Sequence, residues 1–198
     1  MMGTVYLVRH GTHSLVDRVL CGRTDEVPLA SEGVVQAQRL AVQFAGKKVD
    51  VLRSSPRRRT RETAAPIGNA VGMEVECVDE LDELDAGEWT GQSFAALELD
   101  ERWHAWNARR GATRPPGGES MAEVQARIVG QIEKLLSRRL SAAVLVTHAE
   151  PIRAALLHYR QMSLDRFSEI EISPGSISVL QASANSVDVE AWNLAVLS

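Results

Sequence analysis

Two short, continuously apolar runs, each ending in a histidine, constrain this chain most. Val5-Tyr6-Leu7-Val8 leads into Arg9-His10-Gly11, and Ala143-Val144-Leu145-Val146 leads into Thr147-His148. A run that is apolar at every position suits a strand covered on both faces. Such strands belong to α/β sheets, which bind ligands just beyond the carboxyl ends of their strands. If the two strands are parallel neighbours, both imidazoles leave the sheet at the same edge. Arginine beside histidine, followed by a glycine that lets backbone approach closely, suits an anion site holding a nucleophile or base. A lone Arg-His after a strand is common. Two merely structural histidines give no reason for both to sit at strand exits.

The rest of the chain alternates between strand and helix patterns, without repeats or low-complexity linkers. Ser31 is the expected N-cap of a helix with Val34, Ala37, Leu40, Ala41 and Phe44 on one face and Gly46 as its stop. A short strand is predicted over Val49–Leu52. Ser55 as N-cap and Pro56 at the first helical position predict a second helix to about Val71. Val75–Val78 reads as a third strand. Ser120 and Glu123 form a capping box before a helix with Val124, Ile128, Ile132 and Leu135 at helical spacing. After the second histidine run comes a helix around Ile152–Tyr159. Further strands are predicted at Ile170–Ile172, Ile177–Leu180 and Val187–Val189, with turns at Pro174-Gly175 and Asn185-Ser186, and these short connections favour antiparallel pairing. Between Glu80 and Gly118 the pattern is irregular and holds three of the four tryptophans. This stretch reads as a cap over the active edge of the sheet, about residues 88–118. The expected fold is α/β, a three-layer sandwich with a mostly parallel central sheet flanked by helices, in one domain spanning 1–198.

Composition excludes several classes. The 198 residues include 44% hydrophobic and 24% charged, and the formal net charge is −4. That is an ordinary globular balance, and it disfavours nucleic-acid partners, which want a basic face. Cys21 and Cys77 form neither a metal-ligand spacing nor a disulfide framework. Arg9 interrupts the only apolar run near the start, so no signal peptide is evident, and no segment reaches transmembrane length. A cytoplasmic protein with no membrane partner, no metal and no cofactor is expected.

Arg57, Arg58, Arg59 and Arg61 crowd the start of the second helix, against the helix dipole. A solvated basic face would explain them. So would a bound phosphate, because an arginine at a helix start after a strand stands at the active edge, beside free N–H groups. The acidic run Asp79, Glu80, Asp82, Glu83, Asp85 and Glu88 offers several proton donors, and composition does not choose among them.

Taken in order, Arg9-His10-Gly11, the Ser54–Ala64 segment, the Leu81–Gly91 segment, Pro116-Gly117-Gly118-Glu119-Ser120 and Thr147-His148 resemble the histidine phosphatase superfamily, the phosphoglycerate mutase-like proteins. The resemblance runs from Val5 to about Leu180. It implies that His10 is the nucleophile, that Arg9, Arg59 and His148 bind phosphate, and that Glu83 donates the proton. It also places Thr12 and Gly22 among the phosphate and substrate contacts. The pattern departs from the family at Thr12-His13, Val16, Thr90 and Ala149-Glu150-Pro151, in loops expected near the phosphate. His13 reads as an exposed loop residue, with a second titrating group as the alternative, and Arg109, Arg110 and Arg114 as surface charge or as candidates for an acidic substrate tail.

The function implied is a metal-independent phosphomonoesterase acting on a small phosphorylated metabolite through a phosphohistidine. A mutase moving phosphate between hydroxyls is the alternative; the compact chain disfavours it, because such mutases usually carry insertions. A non-catalytic phospho-ligand binder is a third reading, for which a nucleophile and an acid would be superfluous. The apolar tail strands offer a surface for a homodimer.

Overall fold

The computed structural model describes residues 3–138, 140–184 and 186–196. Six strands form one sheet: β1 (Gly3–Arg9), β2 (Val51–Ser54), β3 (Glu76–Cys77), β4 (Ala142–Thr147), β5 (Ile177–Ala182) and β6 (Val187–Leu194), in the order β3-β2-β4-β1-β5-β6. β3, β2, β4 and β1 are mutually parallel, and β5 pairs antiparallel with both β1 and β6. The sheet is mixed but mostly parallel, as expected. In β1 and β4 the side chains alternate between two cores. Val5, Leu7, Ala143 and Leu145 face α5 (Met121–Leu136) and α6 (Ala149–Tyr159). Val8, Val144 and Val146 face α1 (Ser31–Phe44) and α2 (Arg58–Val71). Helices therefore cover both faces, which is why these strands are apolar at every position.

Several local expectations need correction. In α1 the buried stripe is Gly33, Ala37, Leu40 and Phe44, and Val34 is exposed. Ala30, not Ser31, is the N-cap, because its N–H is tied to Thr12 O at 2.9 Å and its carbonyl accepts from Val34. α2 starts two residues later than Pro56, with Arg57 as N-cap. The Ser55 hydroxyl accepts the Arg57 N–H at 3.3 Å but also engages Asp82 and His148. Ile170–Ile172 is not a strand. Two of its carbonyls accept from arginine side chains, Ile172 O from Arg9 and Ile170 O from Arg153, and so do not join a ladder. The Asn185-Ser186 turn lies partly outside the described residues, since Asn185 is not described. The capping box at Ser120–Glu123 is present, and Val124, Ile128, Ile132 and Leu135 are fully buried.

Residues 79–118 fold as short pieces, including α3 (Phe94–Leu97) and α4 (Glu101–Ala108). Their organiser is a tryptophan cluster. Trp89, Trp103 and Trp106 are buried, with ring centroids 5.3–5.6 Å apart. Asp100 and Glu98 accept from the Trp89 and Trp103 indoles. Each such aromatic pair adds about 0.5–1.5 kcal/mol beyond its burial, enough to hold irregular backbone in one place.

Gly11, just past β1, packs directly on Gly33 of α1. A Cβ on Gly11 would lie 2.6 Å from Gly33 O, and one on Gly33 would collide with Thr12 O. Gly33→Ala should therefore destabilise by about 1–3 kcal/mol through overpacking. Gly130→Ala in α5, where a Cβ meets nothing within 4 Å, should stabilise by about 0.5–1 kcal/mol. Thermal denaturation of the two variants checks the pair.

Candidate active site

The parallel register pairs Arg9 with Thr147, so His10 and His148 leave adjacent strands side by side, with ring centroids 5.2 Å apart. His10 N donates to Thr147 O, which fixes the nucleophile candidate's backbone to β4. The His10 ring is 3% exposed, and its Nδ1 lies 2.8 Å from Gly11 O. A carbonyl only accepts, so Nδ1 carries the proton and Nε2 keeps its lone pair. Burial lowers the His10 pKa well below the ordinary histidine value, and Arg59, Arg9 and His13 push the same way. The imidazole is therefore neutral at physiological pH.

Of the four arginines at the start of α2, only Arg59 turns into the site. Arg58 pairs with Glu62 at 2.7 Å, Arg61 stays exposed, and Arg57 reaches Asp82 and Arg23 O. Arg59 is 1% exposed and donates to Thr24 O, Gly22 O and His148 Nδ1. Gly22, at φ +48°, supplies one of these carbonyls from a left-handed turn. Because arginine only donates, His148 Nδ1 accepts, and its proton sits on Nε2, donating to Ser55 Oγ at 2.9 Å. Ser55 in turn donates to Asp82. Arg9 reaches across to Ile172 O.

The acidic run is resolved by what each carboxylate touches. Thr147 Oγ1 donates to Leu81 O, while Arg23 and Arg127 donate to Glu83 O, so the segment is clamped to the end of β4. Asp82 is spent on Ser55, Arg57 and the Glu83 N–H. Asp79, Glu80 and Glu88 are exposed. Glu83 faces the cavity, with Oε2 3.8 Å from His148 Nδ1. Burial and the neighbouring Glu150 raise its pKa to about 7, although Leu84 N–H, Arg59 and Arg9 oppose the shift. Glu150 itself is held below the usual carboxylate range. Burial would raise it, but Arg110 at 2.7 Å and Arg153 at 2.9 Å outweigh that cost.

These side chains line a cavity of about 290 Å³. Arg9, His10, Arg59, Glu83 and Gly22 stand in its wall. His148 touches Arg59 but is not among the lining residues, and nor is Thr12, whose N–H goes to Gln36. His13 is buried in the wall, contrary to the expectation of an exposed loop residue. Arg110 lies between the Trp106 and Phe167 rings, 3.7 and 3.5 Å from their centroids, while Arg109 and Arg114 are exposed. Sequence reasoning missed Glu150, Arg153, Arg23 and Arg127 as parts of the site. Arg110 reaches Glu150 from 40 residues away, and Arg23 and Arg127 reach the Glu83 carbonyl from 60 and 44 residues away, contacts that only the folded chain reveals. Among the described residues, no group of three or more His, Cys, Asp or Glu could hold a metal ion.

A sequence profile of the histidine phosphatase superfamily (branch 1) matches residues 5–195. The chain belongs to that superfamily. Among its relatives is phosphoserine phosphatase 1 of Hydrogenobacter thermophilus, 31% identical over 77% of this chain and 74% of that protein. A 2,3-bisphosphoglycerate-dependent phosphoglycerate mutase of Rhizobium etli is 29% identical over 98% of each chain. Among solved structures, a mycobacterial glucosyl-3-phosphoglycerate phosphatase superposes with a TM-score of 0.89, at 22% identity, covering 98% of this chain and all of that one. That mutase is nearly the same length as this chain, so compactness does not separate phosphatases from mutases in this superfamily.

The three imidazoles make this histidine phosphatase sensitive to acid. His10, His13 and His148 all have lowered pKa values, His13 to about 4, with burial the largest cause for each. Unfolded imidazoles take protons near pH 6.5, so stability should fall as pH drops below about 6.5, by up to ~1.4 kcal/mol per pH unit per histidine. Glu83 offsets one of the three, because its raised pKa makes the folded state bind that proton first. Urea midpoints at pH 7 and 5.5 check the net loss.

Proposed function

We propose that the chain hydrolyses small phosphomonoesters through a phosphohistidine formed on His10 Nε2. The observation that carries this is the His10 Nδ1–Gly11 O hydrogen bond, which leaves Nε2 unprotonated in a cavity lined by Arg9, Arg59 and Glu83. A phosphomonoester dianion repels an anionic nucleophile, and a neutral imidazole avoids that repulsion. In the first step the Nε2 lone pair attacks phosphorus, the bond to the leaving oxygen breaks, and Glu83 gives that oxygen its proton. In the second, water attacks phosphorus, Glu83 carboxylate takes its proton, and the N–P bond breaks to release phosphate.

Arg9 and Arg59 are fixed cations for the equatorial oxygens, which supports a reaction without a metal ion. His148 supports the phosphate site indirectly, holding Arg59 in place through Nδ1. The N-terminus of α6, which begins directly after His148, adds its dipole. We assign residues 88–118 the role of a cap, with Phe94, Trp103, Trp106 and Arg110 supplying part of the cavity wall.

The leaving group meets mainly apolar side chains, Val16, Leu20, Phe94 and Trp106. Arg110 is stacked between two rings, its Nη1 donates to Glu150 and its Nη2 to Asn107. Asp17 and Glu150 add negative charge to the wall. A bisphosphorylated sugar acid, which a mutase must retain, would meet Arg110 and Arg153 already paired with Glu150. This favours hydrolysis over phosphoryl transfer between hydroxyls. A binder without chemistry would need neither a neutral nucleophile nor an acid poised near neutrality. A small phosphorylated substrate is the only partner this reading requires. No helix among the described residues is long and apolar enough to cross a membrane, and the surface open to a homodimer is the outer edge of β6, where Trp192 and Leu194 are exposed.

His10→Ala should lower turnover of p-nitrophenyl phosphate by at least ~10³-fold, and full turnover in that variant would contradict the mechanism. Glu83 must be protonated to act in the first step. With an alkyl phosphate, kcat should therefore fall about tenfold per pH unit above pH 7. Glu83→Gln should slow alkyl phosphates far more than p-nitrophenyl phosphate, whose leaving group departs without a proton. Steady-state pH profiles on both substrates check this.

A further inference from the structure

The nucleophile candidate is flanked by two imidazoles at almost equal distance. The His148 ring lies 5.2 Å from that of His10, and the His13 ring 5.3 Å, tilted by 33°. Only His148 was expected there. The two neighbours differ in where their protons point. His148 accepts from Arg59 at Nδ1 and turns its Nε2 proton to Ser55. His13 Nδ1 accepts the Leu15 N–H at 3.3 Å, so its proton also sits on Nε2. No group among the described residues accepts from that Nε2. His13 is 7% exposed, and its ring stands in the cavity wall with His10, Arg9 and Arg59.

We propose that His13 is a further catalytic residue, a neutral imidazole that donates a hydrogen bond from Nε2 to the phosphoryl group carried on His10. The proposal rests on the reading of His10 as the phosphate acceptor. It follows from the tautomers: of the three clustered rings, His13 alone has an N–H without an acceptor among the described residues, and its ring stands in the cavity wall with Arg9 and Arg59. The backbone holds the ring there. His13 bridges Leu29 in an antiparallel pair, and the adjoining Gly11–Gly33 contact fixes the loop on α1. The pKa of His13 is lowered to about 4, first by burial and then by Arg59 and Arg9, so the ring stays neutral at working pH. A neutral donor supplies a hydrogen bond to the phosphoryl oxygens without adding charge that would further acidify His10. Hydrogen bonds to charged groups contribute about 1.5–3 kcal/mol, or ~10–100-fold in affinity.

Two substitutions separate this role from a structural one. His13→Asn keeps an oxygen that can accept from Leu15 N–H, but its amide is too short to place an N–H at the position of Nε2. His13→Gln places an amide N–H near the position of Nε2. Orthovanadate inhibition and kcat/KM on p-nitrophenyl phosphate are measured for wild type and both variants, with melting temperatures to establish folding. The expected result is a ~10–100-fold loss of vanadate affinity in His13→Asn, with a parallel fall in kcat/KM, and substantial recovery in His13→Gln. A folded His13→Asn that binds vanadate like wild type overturns the proposal, as does a His13→Gln that falls equally far. Failure of the wild type to bind vanadate overturns the phosphatase reading as well, so the two failures are told apart.

Discussion

The in-register parallel pairing of β1 with β4 is the constraint on which the rest depends. It sets Arg9 opposite Thr147 and so places His10 and His148 on the same edge of the sheet, across about 140 residues of chain. A slip of one residue would turn every side chain of β1 to the opposite face and carry His10 away from Arg59. The two cores guard against that slip. Val5 and Leu7 belong to one, and Val8 belongs to the other with Val144 and Val146. Burying apolar side chains on both faces makes the register expensive to change, so the geometry of the site is secured by hydrophobic packing several residues away from it.

At that edge, burial does electrostatic work. Desolvation keeps the imidazoles neutral and raises Glu83, while the buried arginines keep Glu150 ionised. Two carboxylates in one cavity are thus held in different protonation states by their neighbours. Among the described residues no arginine pairs with the Glu83 carboxylate, whereas Glu150 is gripped by two. The separation of an acid from a permanent anion is what a proton-donating site requires. The same contrast appears among the arginines of α2, where Arg58 and Arg61 meet solvent and surface carboxylates while Arg59 is enclosed.

Much of this was legible in the sequence. The apolar runs gave away the buried strands, and the histidines at their exits gave away the shared edge, because strand direction and burial are local properties. Ser120–Glu123 announced a helix start for the same reason. What was not legible depends on long-range partners. Ser55 looks like an N-cap, yet its hydroxyl bridges His148 and Asp82. Ile170–Ile172 looks like a strand, yet Arg9 and Arg153 take two of its carbonyls. His13 looks like a loop residue because nothing local says that it pairs with Leu29 and sits beside the His10 ring. The choice of Glu83 among six acids came from the family resemblance alone, and its physical basis is the clamp formed by Thr147, Arg23 and Arg127.

The most direct test of the central claim is to quench a turning-over sample in alkali, where phosphohistidine survives, and map the phosphoryl group by peptide mass spectrometry and NMR of the ring. The account predicts phosphate on His10 and on its Nε2, since Gly11 O occupies the other nitrogen. Phosphate on His13, His148 or a carboxylate, or on Nδ1 of His10, would contradict it.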